Sequence, residues 1–351
     1  MAFLFPNLSR ATALVLGFAF IPHAMAAEVE EDWRRITTLD AGPQVQTRSA
    51  TEGRAAALAH LDLQEKALRA FLIAHPKDEH AFEGRLRLSR LLQIRGSIQG
   101  SVKTIEEGKR LLDQLDASPV TPEQRSELDF SRISLLMRGM RGSTPESRER
   151  LLNATRKFQR AHPDDRRLPA LLVEVAGLFS LQPKTMRTLL SEAEPNAKED
   201  DLKARIGDDL KRLDLLGHPL PFQSVTPDGK PLDIAQFRGS VVLLVFFARW
   251  SQPSLDALDV IKRAAAQFPG ASVQLVGVSL DPKPEMLAEV IKEKAITWPV
   301  AFDGKGWESP LIRSLGINAV PTVWLLDREG HLRSLNALES TAGQIGQLTG
   351  R

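Results

Sequence analysis

The chain has 351 residues, 46 basic and 44 acidic side chains, a formal charge of +2 and no cysteine. That length has room for two domains with ordinary cores. The charges are mixed along the sequence, with no basic block to suggest nucleic acid or an anionic membrane as partner. The missing thiols exclude disulfides, thiolate metal sites and a lipid carried on an N-terminal cysteine. The seven histidines are scattered without ligand-like spacing, so neither a metal nor another cofactor is expected.

In chain order, Arg10 precedes an apolar run from Ala11 to Ile21, and His-Ala-Met-Ala follows before Ala27. This is the pattern of an export signal, cut after about Ala26, and the run is too short to span a bilayer. The expected product is therefore an exported protein, periplasmic or extracellular, with no transmembrane span.

Residues 27–216 read as an all-helical domain. Thr121-Pro122-Glu123-Gln124 is a capping box with proline at the first helical position, and Thr144-Pro145-Glu146 starts another helix in the same way. Phe130, Ile133, Met137 and Met140 recur at steps of three and four, the spacing of a core-facing stripe. Turn residues cluster at Gly96 to Ser101, Ser118 to Thr121 and Gly139 to Thr144.

A repeat links two parts of this region. Ala67 to Asp78 (ALRAFLIAHPKD) aligns with Ala154 to Asp165 (ATRKFQRAHPDD), each a helix ending in Ala-His-Pro. Helical hairpins of this kind stack into arrays resembling tetratricopeptide repeats (TPR-like), because one alone cannot bury its apolar face. His75 and His162 occupy equivalent turn positions, which suits a capping role better than catalysis. The last helix spans about 198–216, and a linker is expected at Leu213 to Pro219, where Gly217-His218-Pro219 breaks it.

The remainder, 217–351, changes character. Pro219 to Gly239 reads as a hairpin turning at Asp228-Gly229, and Val241 to Ala248 as a buried strand. Trp250 follows, then Ser251-Gln252-Pro253-Ser254 at a helix start. Val273 to Lys294 gives a second buried strand and an amphipathic helix, and Trp298 to Leu332 contains the Val320-Pro321-Thr322 run that opens a further strand.

In this order and at these spacings, the segments resemble the exported thioredoxin-like proteins of the TlpA/ResA group, within the redoxin (AhpC/TSA) superfamily. The resemblance implies an α/β domain, with a central mixed sheet flanked by helices. It implies that Ser251 and Ser254 stand where the family carries its two Cys-x-Pro-Cys thiols. It also implies a cis bond before Pro321, opposite those serines, with the backbone of Val320 pairing with an extended peptide. The implied binding residues are Trp250, Ser251, Gln252, Pro253, Ser254, Val320, Pro321 and Thr322.

Chemistry limits what such a site can do. An alcohol at neutral pH is neither a thiolate nucleophile nor half of a disulfide. The family's acid three residues past the second cysteine is also absent: Ala257 stands there, and Asp256 is rotated by about 100° around the helix. Ser251 is well placed to cap the helix. A nucleophilic serine would need a base, and this part of the chain offers only His218 and His331, with no G-x-S-x-G elbow.

The reading is a redox-inactive scaffold with no catalytic residue, binding a peptide or protein. The alternatives are the family's thiol–disulfide oxidoreductase or peroxidase activity, with a thiol supplied by a partner, or a role carried by the helical half alone.

Overall fold

The computed structural model describes residues 21–46, 49–138, 140, 144–268 and 272–350. Most of the expected export signal, residues 1–20, lies outside them, as do Gly139 and 141–143 of one expected turn. The chain divides into two compact units, one up to Gly139 and one from Met140.

The first unit is helical: α1 (Ile21–Thr38), α2 (Ala50–Ala74), α3 (Ala81–Gln99), α4 (Val102–Asp116) and α5 (Pro122–Arg138). Hydroxyl caps begin three of them. Ser49 Oγ accepts from Glu52 N (3.1 Å) and Ser101 Oγ from Thr104 N (3.3 Å). The capping box closes reciprocally, Gln124 N donating to Thr121 Oγ1 (3.2 Å) and Thr121 N to Gln124 Oε1 (3.0 Å).

One core gathers Trp33, Ile36, Leu68, Phe71 and Leu92, and a second Leu86, Leu112, Leu115 and Leu128. The buried face of α5 differs from the expected stripe. Leu128, Ser131 and Ile133 are buried, while Phe130 and Met137 are half-buried. Leu128 is drawn in by the leucines of α3 and α4, contacts that periodicity within one helix does not reveal.

The second unit starts with α6 (Pro145–Ala161), α7 (Leu168–Gly177), α8 (Pro183–Ala193) and α9 (Asp200–Leu215). The α6–α7 turn repeats the α2–α3 turn bond for bond. His75 N donates to Phe71 O (2.7 Å) and His162 N to Phe158 O (2.8 Å). Asp78 Oδ1 accepts from His80 N, and Asp165 Oδ1 from Arg167 N, both at 2.9 Å. Each turn histidine also lies on the phenylalanine one helical turn back, with ring centroids 5.1 and 4.9 Å apart. Phenylalanine and histidine therefore recur because the turn needs both.

The sheet elements follow: β1 (Gln223–Val225), β2 (Pro231–Asp233), β3 (Val241–Phe247), α10 (Gln252–Ala265), β4 (Val273–Ser279), α11 (Pro284–Glu293), β5 (Val300–Ala301), α12 (Pro310–Ser314), β6 (Thr322–Leu326), β7 (Leu332–Ser334) and α13 (Thr341–Thr349). β1 and β2 form the expected hairpin. The other five strands make a mixed sheet in the order β5-β4-β3-β6-β7, with β3 parallel to β4 and antiparallel to β6.

All seven residues of β3 are buried. Val241, Leu243, Val245 and Phe247 pack with Leu258, Ile261 and Val290 of the helices on one face, and Val242, Leu244 and Phe246 with Phe222, Ile312 and Trp324 on the other. This two-sided burial explains the unbroken apolar run in the sequence.

The segment expected as a linker is tied to the sheet. Leu216 and Pro219 bridge to Leu332 and His331, and Gly217 N donates to Leu332 O at 2.8 Å. α9 is held against α12 and the loop that follows it: Lys211 Nζ donates to Arg313 O (3.2 Å) and Arg212 to Gly316 O. Gly316 has φ +67°, and a Cβ there would lie 2.9 Å from Asp208 O. The approach of α9 therefore demands glycine at this position. Among the described residues, no helix is long and apolar enough to cross a membrane.

Two helical glycines should respond oppositely to alanine. A Cβ on Gly108 would sit 2.7 Å from Ser89 O, whereas one on Gly207 meets nothing within 4 Å. Gly207→Ala should stabilise by about 0.5–1 kcal/mol through helix propensity. Gly108→Ala should destabilise by about 1–3 kcal/mol through overpacking. Thermal denaturation of the two variants checks both signs.

Candidate functional site

β3 ends by delivering its chain to the turn that carries the serines. Phe246 is the register partner of Thr322, so the turn after β3 and the bond before β6 lie at the same end of the sheet. The Val320-Pro321 peptide bond is cis. Thr322 Oγ1 donates to Ala319 O (2.8 Å), and Val320, Pro321 and Thr322 are all half-buried.

The two serines differ in kind. Ser251 is the N-cap of α10: its Oγ accepts from Ser254 N at 3.3 Å, while Gln252 and Pro253 occupy the first turn, exposed. Its hydroxyl oxygen is thus committed to holding the helix start. Ser254 is fully buried, and its Oγ has no hydrogen-bond partner among the described residues. A hydroxyl enclosed without a partner costs free energy that a less strongly solvated sulfhydryl would not. Asp256 faces outward and accepts from Gln252 Nε2 (3.0 Å), while Ala257 is buried, so no carboxylate stands behind Ser254 on this helix face.

Trp250 is 53% exposed, and its ring centroid lies 6.3 Å from that of Trp307, itself 39% exposed. Together they form an open aromatic platform beside Ser251. Trp307 was not anticipated from sequence. It stands in a short 3₁₀ turn, Gly306–Glu308, and no periodicity marks it.

A second unanticipated group is the buried Asp281, just past β4. Its Oδ1 accepts from Arg249 N (2.8 Å) and its Oδ2 from Ser279 Oγ (2.9 Å), tying the β4 loop to the turn before Ser251. Burial pushes its carboxyl above the ordinary aspartate range, against the downward pull of these bonds. The Arg249 guanidinium turns to Glu289 and Glu293 of α11. The sequence signal for this lock was the Ser-Leu-Asp run closing a buried strand, a side-chain-to-backbone turn pattern.

Neither histidine of this region is placed as a base for Ser251. His218 N and O are engaged with Leu215 and Leu332 in the backbone, and His331 lies beside Asp327. Asp327, Glu329 and His331 bring ligand atoms within 4.8 Å of one another. The Asp327 carboxylate, however, already accepts from the backbone N–H groups of Glu329 and His331 and from Arg333 Nε, the bonding of a locked β-turn.

Residues 216–335 match the model of the AhpC/TSA family. The thioredoxin-like part of the chain is accordingly a redoxin domain in which serine replaces both thiols. Thiol-disulfide oxidoreductase ResA of Bacillus thuringiensis subsp. konkukian (strain 97-27) is 25% identical over 118 residues, which are 34% of this chain and 66% of that protein. Sporulation thiol-disulfide oxidoreductase A of Bacillus subtilis (strain 168) is 27% identical over 134 residues, 37% of this chain and 79% of that protein. A solved thiol-disulfide oxidoreductase from Bacteroides fragilis NCTC 9343 aligns over 36% of this chain and 96% of its own, with 26% identity and a TM-score of 0.33.

Two predictions follow from the turn. Ser251→Ala should cost about 1 kcal/mol through loss of the cap, whereas Ser254→Ala should cost nothing or stabilise by up to about 1 kcal/mol, because it removes an unpaired buried hydroxyl. Urea denaturation separates the two.

The second concerns pH. A carboxyl whose folded pKa is raised adds stability below its unfolded pKa and loses it as pH rises through the folded value. Relative to Asp281→Asn, the wild type should therefore lose melting temperature as pH climbs from about 4 to 7; parallel curves for the two proteins would contradict this.

Proposed function

We propose that this chain is an exported, non-catalytic thioredoxin-fold protein. In this reading its redoxin domain (217–351) holds an extended peptide at Trp250, Ser251 and Val320-Pro321-Thr322, and its helical region (27–216) offers a second interaction surface. The observation that carries it is the state of the two serines. One hydroxyl is committed to a helix cap and the other is sealed in the core, while the chain has no thiol anywhere.

Export rests on the basic, apolar and small-residue pattern of residues 1–26. Peptide binding rests on the exposed tryptophan pair, the cis-proline strand start and the family resemblance. The relatives named as oxidoreductases perform thiol chemistry that serine cannot.

Purified protein should show no turnover in an insulin-reduction assay with dithiothreitol. It should bind a fluorescently labelled, carboxymethylated unfolded polypeptide, and Thr322→Trp, with unchanged circular dichroism, should weaken that binding at least tenfold. Thiol turnover abolished by altering Ser251 would overturn the reading, in favour of oxidoreductase chemistry with a thiol borrowed from a partner.

A further inference from the structure

The two sides of the groove are held in different ways. The turn that carries Trp250 and Ser251 is anchored from within the redoxin domain, by Arg249 N on buried Asp281 and by the Ser251 cap. The facing loop, residues 316–320, makes local bonds only with its own neighbourhood: Gly316 N to Arg313 O, Ile317 N to Ile312 O and Thr322 Oγ1 to Ala319 O. Asn318 and Ala319 are exposed.

The bond that reaches this loop from a distant element comes from α9, in the same compact unit. Arg212 donates to Gly316 O and, through its other nitrogen, to Asp209 one helical turn back. The Arg212 side chain is 13% exposed and that of Asp209 10%, so this charge-assisted bond to a carbonyl is made largely out of water. Burial lowers the Arg212 pKa only to about 10, and the guanidinium stays charged at neutral pH.

The backbones are close at the same point. A Cβ on Gly316 would lie 2.9 Å from Asp208 O and 3.5 Å from Arg212 Cγ. Past Gly316, helix and loop stand apart: Asp208 and Arg212 share the lining of a cleft of about 710 Å³ with Asn318, Ala319, Pro321 and Thr322. The contact at Gly316 is therefore where α9 can fix the course of the chain toward Val320 and Pro321.

We propose that Arg212 is a positioning residue of the peptide groove. It acts through Gly316 O, and sets where Val320, Pro321 and Thr322 stand at the end of the sheet they share with Ser251. The proposal rests on the peptide-groove reading above and adds to it a dependence on a helix outside the redoxin match. The match begins at residue 216, after α9 has ended at Leu215.

The test uses the full chain and two separate readouts: hydrogen–deuterium exchange over residues 316–322, and fluorescence anisotropy of the labelled carboxymethylated polypeptide. Removing Arg212 alone would leave Asp209 a buried, unpaired carboxylate. The variant is therefore Asp209→Asn/Arg212→Met, with Asp209→Asn as its reference. Against that reference the double variant should exchange about tenfold faster over 316–322, keep the protection of 249–254 and of β3, and bind the polypeptide about tenfold more weakly. Arg212→Lys, which keeps the charge and a donor, should bind within about threefold of the wild type. Gly316→Ala, which pushes α9 off the same carbonyl, should reproduce the loss from the other side of the contact, and it carries the comparison against the wild type if circular dichroism shows the double variant unfolded.

Unchanged exchange over 316–322 would overturn the positioning role, as would faster exchange with unchanged binding; in both cases the groove reading stands. A wild type that binds no polypeptide would overturn the groove reading and the positioning role together.

Discussion

The second unit depends on a strand with no solvent face. β3 is buried along its whole length, so every side chain must suit one of two cores, and each backbone edge is occupied by β4 or β6. A strand fixed on four sides cannot slip in register without moving its whole apolar set. That rigidity is passed to whatever follows Phe247. Arg249 N is anchored on buried Asp281, Ser251 caps α10, and the turn between them is pinned at both ends. The site is thus a rigid product of the sheet and not of a mobile loop.

Within this frame the surface is shared between two sources. The redoxin domain supplies the tryptophan platform and the cis-proline loop. The helix that precedes it is locked to α12 and the loop after it through Lys211 and Arg212, and the close approach is made possible by a glycine. Residues 216–219, running along β7, extend the chain from α9 directly into the sheet. The helix therefore packs beside the cis-proline loop with residues that lie before the family match.

Much of this was legible in the sequence, for identifiable reasons. The unbroken run of β3, the Asp228-Gly229 turn and the capping box at Thr121 each follow from a local rule, and each has its expected form. The two Ala-His-Pro turns also share the same Phe–His ring contact and Asp bond. What local rules missed depends on partners far along the chain. The deepest residue of α5 is Leu128, chosen by leucines of other helices. Trp307 faces Trp250 only because the loop after β5 returns to the end of β3. Buried Asp281 holds Arg249 N from the turn after β3, and half-buried Arg212 reaches Gly316 O about 100 residues onward. The linker expected at 213–219 looked like a break because glycine and proline end the helix, whereas the pairing that then captures the segment lies more than 100 residues onward, at His331 and Leu332.

The helix cap carries one more consequence. A cysteine pair at a helix start gives the turn two covalent forms, whose balance follows the surrounding electron donors and acceptors. A hydroxyl bonded to a backbone amide has a single form. The turn beside Trp250 therefore has no disulfide form of its own to switch into.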